Sequence, residues 1–328
     1  MKKLFLILAL AVFSIPFSNS QNVTLPIKFD KKILDHIFVT SIAINKNNIA
    51  WIGTFKNGLI RYDGKETIFY NSKNSCINDT VSIPDIKIDG NGNIWIANNA
   101  LIKYDGKKFT LFNSHNSKIP EDYVSAIVVD SKNTIWFTSC RHQLGGLVKY
   151  DGKNFTVFTP KNSKLPVNLI QSIAIDKNDN LWLAVFESAG TSYLVKKSND
   201  NWTKYGRAEL GFSPYNLRNI KINSKNEVYV SIDYSLSSSI GGEHPTLFTF
   251  NGQKSEILKS DKSFGCKLLN IDHEDNLWCA ENSNYSVYSG NKWIQSGKTN
   301  FEGIFAIEQT KDNKIWMGTG DGVYIQTK

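Results

Sequence analysis

Apolar residues recur along this chain in short runs of period two, and each run is closed by a cluster of Asn, Asp, Gly and Lys. Ser172-Ile173-Ala174-Ile175 shows the alternation of a strand with one buried face. Asp176-Lys177-Asn178-Asp179-Asn180 follows as a turn, because Asn and Asp tolerate left-handed backbone and hydrogen-bond their own main chain. Leu181-Trp182-Leu183-Ala184 then predicts a largely buried second strand. A third begins at Gly58-Leu59, Gly146-Leu147 or Ala100-Leu101 and runs to Tyr62, Tyr150 or Tyr104. Asp63-Gly64, Asp105-Gly106 and Asp151-Gly152 come next, with Asn251-Gly252 and Ser289-Gly290 as later versions. These dipeptides predict type I′ hairpin turns leading to a fourth strand such as Phe155-Thr156-Val157-Phe158. No stretch carries a convincing amphipathic helix pattern.

The four-strand unit repeats. Trp51, Trp95, Trp136, Trp182, Tyr229, Trp278 and Trp316 are separated by 44, 41, 46, 47, 49 and 38 residues, near the period of propeller blades. Six residues before each aromatic stands a polar residue: Asn45, Asp89, Asp130, Asp176, Asn223, Asp272 and Thr310. One and three residues before that lie apolar pairs, from Ile44/Ile42 to Ile271/Leu269; the seventh copy, Gln309/Ile307, half departs. A lone four-stranded sheet leaves both faces partly apolar and one edge raw, whereas radial stacking covers them.

The predicted fold class is therefore all-β: a seven-bladed β-propeller of four-stranded antiparallel blades, one domain over residues 21–328. The blades fall near 38–79, 80–121, 122–167, 168–212, 213–259, 260–299 and 300–328. The seventh has only three strands before Lys328, so residues 22–30 are expected to close it, with Val23 to Phe29 as its outermost strand and Pro26 at a solvent-facing position.

The phrases Asn162-Ser163-Lys164-Leu165-Pro166, Asn180-Leu181-Trp182 and Gly146-Leu147-Val148-Lys149-Tyr150-Asp151-Gly152 resemble the two-component regulator propeller repeat. That family builds periplasmic sensor regions of bacterial hybrid two-component systems. The resemblance covers nearly the whole repeat region, strongest in the first three blades and weakest in the fifth. It implies a sensor-like architecture here and specifies no ligand.

Residues 1–20 change the picture of where such a domain works. Lys2 and Lys3, the apolar run Leu4 to Val12 and the small residues Ser18-Asn19-Ser20 form a secretory signal pattern, predicting export to the periplasm or beyond. No later stretch reaches the ~18 apolar residues of a membrane span. The net charge is +8, but its lysines are spread through turns (Lys46, Lys107, Lys177, Lys225), which argues against a nucleic-acid footprint. A monomer is expected. Cys76, Cys140, Cys266 and Cys279 could form two bridges in three connectivities, or remain thiols, and none has metal-site spacing.

Candidate chemistry is sparse. Asp89-Gly90-Asn91-Gly92-Asn93 imitates half a calcium loop, but position 6 is Ile94 and no Glu stands at position 12, so it reads as a turn. The recurring aromatics read as packing between blades, because a recognition aromatic would belong to one blade. No nucleophile elbow or metal-ligand spacing is present, so no catalytic residue, metal or cofactor is assigned. Asymmetry between blades is the remaining clue. The connection from the aromatic to the third strand is 5 to 7 residues in four blades, 10 in blades 3 and 4, and 17 in blade 5. The three long connections share one face and hold Arg141, His142, Glu187, Tyr234, Glu243 and His244. The expected function is non-enzymatic recognition of a glycan, peptide or protein partner there. The alternative is a metal-assisted lyase or hydrolase, similar to streptogramin lyase, using His142, Glu243 and His244.

Overall fold

Each hairpin that the alternation predicts is paired in the register that puts the repeat's apolar residues into its interfaces. In blade 1, Ile42 faces Ile52 and Ala43 faces Trp51 across the first two strands, and Ile52 faces Ile60 in the third. The computed structural model describes residues 27–139, 144–188, 191–233, 246–259, 266–301 and 303–326. It comprises seven four-stranded antiparallel sheets. Their first strands are Val39–Ile44, Ile86–Ile88, Ile127–Val129, Ile170–Ile175, Leu217–Ile222, Leu268–Ile271 and Ile304–Gln309. These first strands pack side by side in a closed ring around a central channel. The one helix among the described residues is the single turn Arg207–Leu210 between blades 4 and 5.

Seven hydrophobic clusters fill the seven interfaces, and each contains one of the recurring aromatics. Trp51 packs with Ile86, Ile94 and Ile102 of blade 2, and Trp316 packs with Ile42, Ile52 and Ile60 of blade 1. Residues from both sheets meet in every cluster, so a blade alone would leave its core open to water. The expected packing role of these aromatics holds.

The polar residue six positions earlier has a structural role that the pattern alone did not reveal. Asp89 Oδ1 accepts hydrogen bonds from the Asn91 and Asn93 amides, and Oδ2 accepts from Asn93 Nδ2 and from Trp95 Nε1 at 2.9 Å. Asp176 and Asp272 repeat all four contacts, and Asp130 bonds the indole of Trp136 at 3.2 Å. These carboxylates spend their lone pairs on their own turns, as the turn reading requires. In blades 1 and 7 the position holds Asn45 and Thr310, and the buried Trp51 and Trp316 Nε1 atoms lack a partner among the described residues.

The closing strand is Phe29–Ile33, antiparallel to Gly322–Gln326, with Lys32 opposite Tyr324 and Ile33 opposite Val323. The ring closes as expected, and among the described residues pairing begins at Phe29, the last residue of the predicted strand. Val23 to Pro26 lie outside the described residues. Ile27 and Phe29 do pack on the cluster between blades 6 and 7, but Ile33 and Leu34 seal the seam with blade 1.

The Asp-Gly turns also differ from expectation. Gly64, Gly106 and Gly152 have φ of 93° to 95°, but their Asp neighbours are not left-handed, so these are not type I′ turns. Instead the loop spans four residues, and the Asp63 carboxylate accepts from the Lys65 and Glu66 amides. Asp105 and Asp151 do the same. These backbone donors hold all three carboxyls below the usual carboxylate range. A depressed folded value contributes stability above the unfolded value of about 4, lost as pH falls through the lower folded one. Asn251 makes the same two contacts without a charge. The triple variant D63N/D105N/D151N should therefore keep its fold, and its melting temperature should fall less steeply than the wild type's between pH 6 and 3.

Of the cysteines, Cys266 and Cys279 are joined with Cα atoms 5.4 Å apart, and Cys76 is a half-buried free thiol. Cys140 lies outside the described residues.

Candidate functional site

In each blade the first strand starts on one face of the ring, and the connection from second to third strand returns to that face. The long connections of blades 3 to 5 therefore share it. Five of the six predicted site residues, Arg141, His142, Tyr234, Glu243 and His244, lie outside the described residues. Glu187 is described and exposed, and its Oε2 accepts a hydrogen bond from Tyr193 Oη at 2.9 Å. It stands on an extended hairpin, not a loop. Leu181–Ser188 and Thr191–Ser198 pair up to Ser188 and Thr191, so the longer connection in blade 4 is added strand. That hairpin leans on blade 5, where Ser192 N donates to Pro214 O and Ser192 Oγ accepts from Leu217 N.

On the same face, the channel mouth widens into a depression of about 690 Å³ bounded by blades 3 to 6. Its floor is one hydrogen-bonded network. Gln171 Nε2 donates to Asn216 Oδ1 at 2.9 Å, Asn216 Nδ2 donates to the Asp233 carbonyl, and Asp233 accepts from Arg218 Nε at 3.2 Å. Asn216 is buried with φ of 42°, a backbone state that Asn tolerates better than most residues. Gln171 Oε1 is buried at the mouth and has no hydrogen-bond partner among the described residues, a state that leaves its desolvation cost unmet. Lys267, also at the mouth, pairs with Glu281 at 3.0 Å, and this contact raises its ammonium above the ordinary lysine value. Charges here are matched and fixed, so the depression presents oriented donors and acceptors with no net field of one sign.

Across the mouth, blades 7 and 1 present an aromatic wall. Phe38 lies 5.4 Å from Phe55 and 4.6 Å from Phe305 between ring centroids, and Phe55 and Phe305 are each 43% exposed. None of the three belongs to the recurring series, and Phe305 also lines the channel.

Sequence reasoning missed this mouth, although the repeat held the signal. Counting five residues back from each turn residue gives Thr40, Pro84, Ser125, Gln171, Arg218, Lys267 and Phe305. The neighbouring frame position is apolar in copy after copy, while this one holds a hydroxyl, a proline, an amide, a cation or an aromatic ring depending on the blade. Positions facing the channel escape the packing that makes the others repeat. Among the described residues no group of three His, Cys, Asp or Glu side chains is placed to hold a metal ion.

The fold and mouth define a seven-bladed propeller with an asymmetric, polar and aromatic channel entrance. No protein-family model matches the sequence, and no curated protein matches it. Solved structures do. The extracellular domain of a putative one-component system from B. thetaiotaomicron is 16% identical with a TM-score of 0.66, over 91% of this chain and 40% of that one. A streptogramin B lyase is 12% identical with a TM-score of 0.68, over 90% of this chain and 95% of that one. YCF48, solved bound to a D1 peptide, is 11% identical with a TM-score of 0.65, over 91% and 96%. At these identities the likeness shows the fold alone, and the chain spans about 40% of that extracellular domain's length.

Proposed function

We propose that the protein is a non-enzymatic recognition propeller that binds a glycan across the channel mouth. The observation that carries this reading is Gln171 Oε1, an orphaned buried acceptor in a rigid polar floor that faces exposed phenyl rings across the same opening. A sugar offers hydroxyls that donate and accept at once, and apolar ring faces that pack on aromatics. Arg218 and Asp233 would meet hydroxyls on one side and Phe305 would meet a ring face on the other. The predicted contacts Arg141 and Tyr234, on the long connections of blades 3 and 5, would add to the same face. Export through the N-terminal signal pattern suits such a ligand, as does the likeness to extracellular sensor domains. The likeness to streptogramin B lyase keeps a metal-assisted reading with His142, Glu243 and His244 as the competitor.

The test is calorimetric binding of neutral and uronic-acid oligosaccharides, with and without EDTA. Binding should survive EDTA and leave the sugar unchanged. Gln171→Ala and Phe305→Ala should each weaken it about tenfold while the melting temperature moves little. Binding of peptides alone, or product formation that EDTA abolishes, would overturn the reading.

A further inference from the structure

Below the mouth, the channel itself is chemically uneven. Two residues before each turn residue, the first strands place Ala43, Lys87, Val128, Ala174, Lys221, Asn270 and Glu308 at one level of the ring. Four of these are polar, from blades 2, 5, 6 and 7, and the rest are small or apolar. Lys87 is held by Asp85, whose other oxygen accepts from the Ile127 amide at 2.8 Å. Asn270 Nδ2 donates to the Ile307 carbonyl. Lys221 and Glu308 differ from these. The Lys221 ammonium makes no hydrogen bond or ion pair among the described residues, and the Glu308 carboxylate accepts only from its neighbour's amide, Gln309 N, at 3.3 Å. The two line one cavity of about 370 Å³ without pairing with each other.

An ammonium and a carboxylate that line one channel, half-buried and unpaired, leave both charges to be met by whatever fills the channel. The enclosure lowers the Lys221 ammonium's proton affinity, with Lys87 adding to that and Glu308 and Asp85 opposing it. Enclosure also pushes the Glu308 carboxyl up, against the pull of Lys221 and Lys87. The four charges sum to zero, so an ion of either sign would leave an imbalance. A molecule carrying both charges would not. Val128 and Ala174 offer an apolar wall on the far side, and the cavity is of a size that holds small ligands.

We propose that the channel is a binding site for a small zwitterion of the α-amino acid type, its carboxylate on Lys221 and its ammonium on Glu308. Entry is through the mouth, since Gln171 and Asn219 line both spaces. The site shares no charged residue with the glycan reading and stands or falls separately.

The experiment is isothermal titration of the purified chain with glycine, L-alanine, L-valine and L-leucine, each against its N-acetyl derivative and its amide. At least one free amino acid should bind, and both blocked forms should bind at least about tenfold more weakly, because each lacks one charge. Lys221→Met and Glu308→Gln should each weaken binding about tenfold or more, whereas Arg218→Ala at the mouth should leave it within about twofold. Both channel variants remove one channel-lining charge while keeping shape, so circular dichroism melting should show them folded. Failure of all four amino acids to bind overturns the proposal. So does equal binding of a blocked form, or binding that both channel variants retain, which would leave water as the filling of the gap.

Discussion

A chain lacking residues 27–33 should lose its cooperative melting transition, or melt many degrees below the full-length protein. The missing segment is the fourth strand of blade 7, and it is bound on two sides. Phe29 meets Tyr285 and Phe301 edge-on, with ring centroids 6.2 Å from each. Lys32 pairs with Asp321 at 2.6 Å, and Asp321 also accepts from the His36 amide. Without the strand, Val323 to Gln326 become a raw edge of the kind that pairs with other chains. The clusters between blades 6 and 7 and between blades 7 and 1 both lose apolar cover. In a stack of repeats, stability resides in the interfaces between neighbours, so damage to two of seven is disproportionate. Differential scanning calorimetry with size-exclusion chromatography would register the lowered transition and the association of open rings. A truncated chain that melts like the intact one would show that the seam is held by the inner strands alone.

Blade number, strand order and the packing role of the aromatics were legible because each is written seven times. A residue that must fill the same gap in every interface, such as Trp182 or Ile173, leaves a periodic trace. Features that occur once leave none. The closing strand was placed a few residues early because the alternation ending at Phe29 is locally as strand-like as the charged segment Asp30-Lys31-Lys32 that pairs with the last strand. The Asp-Gly turns were misread because the dipeptide reports where a turn falls, while the number of loop residues decides its type. The candidate site was sought in long connections, and that search reached Glu187, which sits on an extended hairpin outside the mouth. Gln171, Arg218 and Phe305 instead lie on first strands, where strand length and pattern are ordinary. Their mark is the failure to repeat at a position where no packing partner enforces repetition, and it emerges only once the copies are aligned on their turns.

Asp89→Ala should destabilise the protein by about 3–5 kcal/mol, the largest effect expected from a single turn substitution, because its carboxylate is buried. Four donors lose their acceptor at once: two backbone amides of the turn, the Asn93 side chain and the buried Trp95 indole. Asp89→Asn should cost less, about 1–2 kcal/mol, because one limb can still serve the two amides while the other, now an NH₂, faces the indole donor to donor. Blade 1 already has this arrangement. Asn45 Oδ1 accepts from the Asn47 and Ile49 amides, and Trp51 Nε1 is left without a partner. The converse substitution Asn45→Asp should therefore stabilise the protein by about 1 kcal/mol, raising the melting temperature by roughly 2 °C for a domain of this size. Thr310→Asp should do the same for Trp316, whose Nε1 is also unpartnered. Trp316 lies in the interface between blades 7 and 1, so the Thr310→Asp gain bears on a seam that the truncation weakens, whereas Asn45→Asp acts on the interface between blades 1 and 2. Urea unfolding of the four variants at pH 7 separates the contributions, since the wild-type midpoint serves as a common reference. If Asn45→Asp and Thr310→Asp both lower the midpoint, the indole bond is not what the recurring aspartate supplies, and the turn amides alone account for its recurrence.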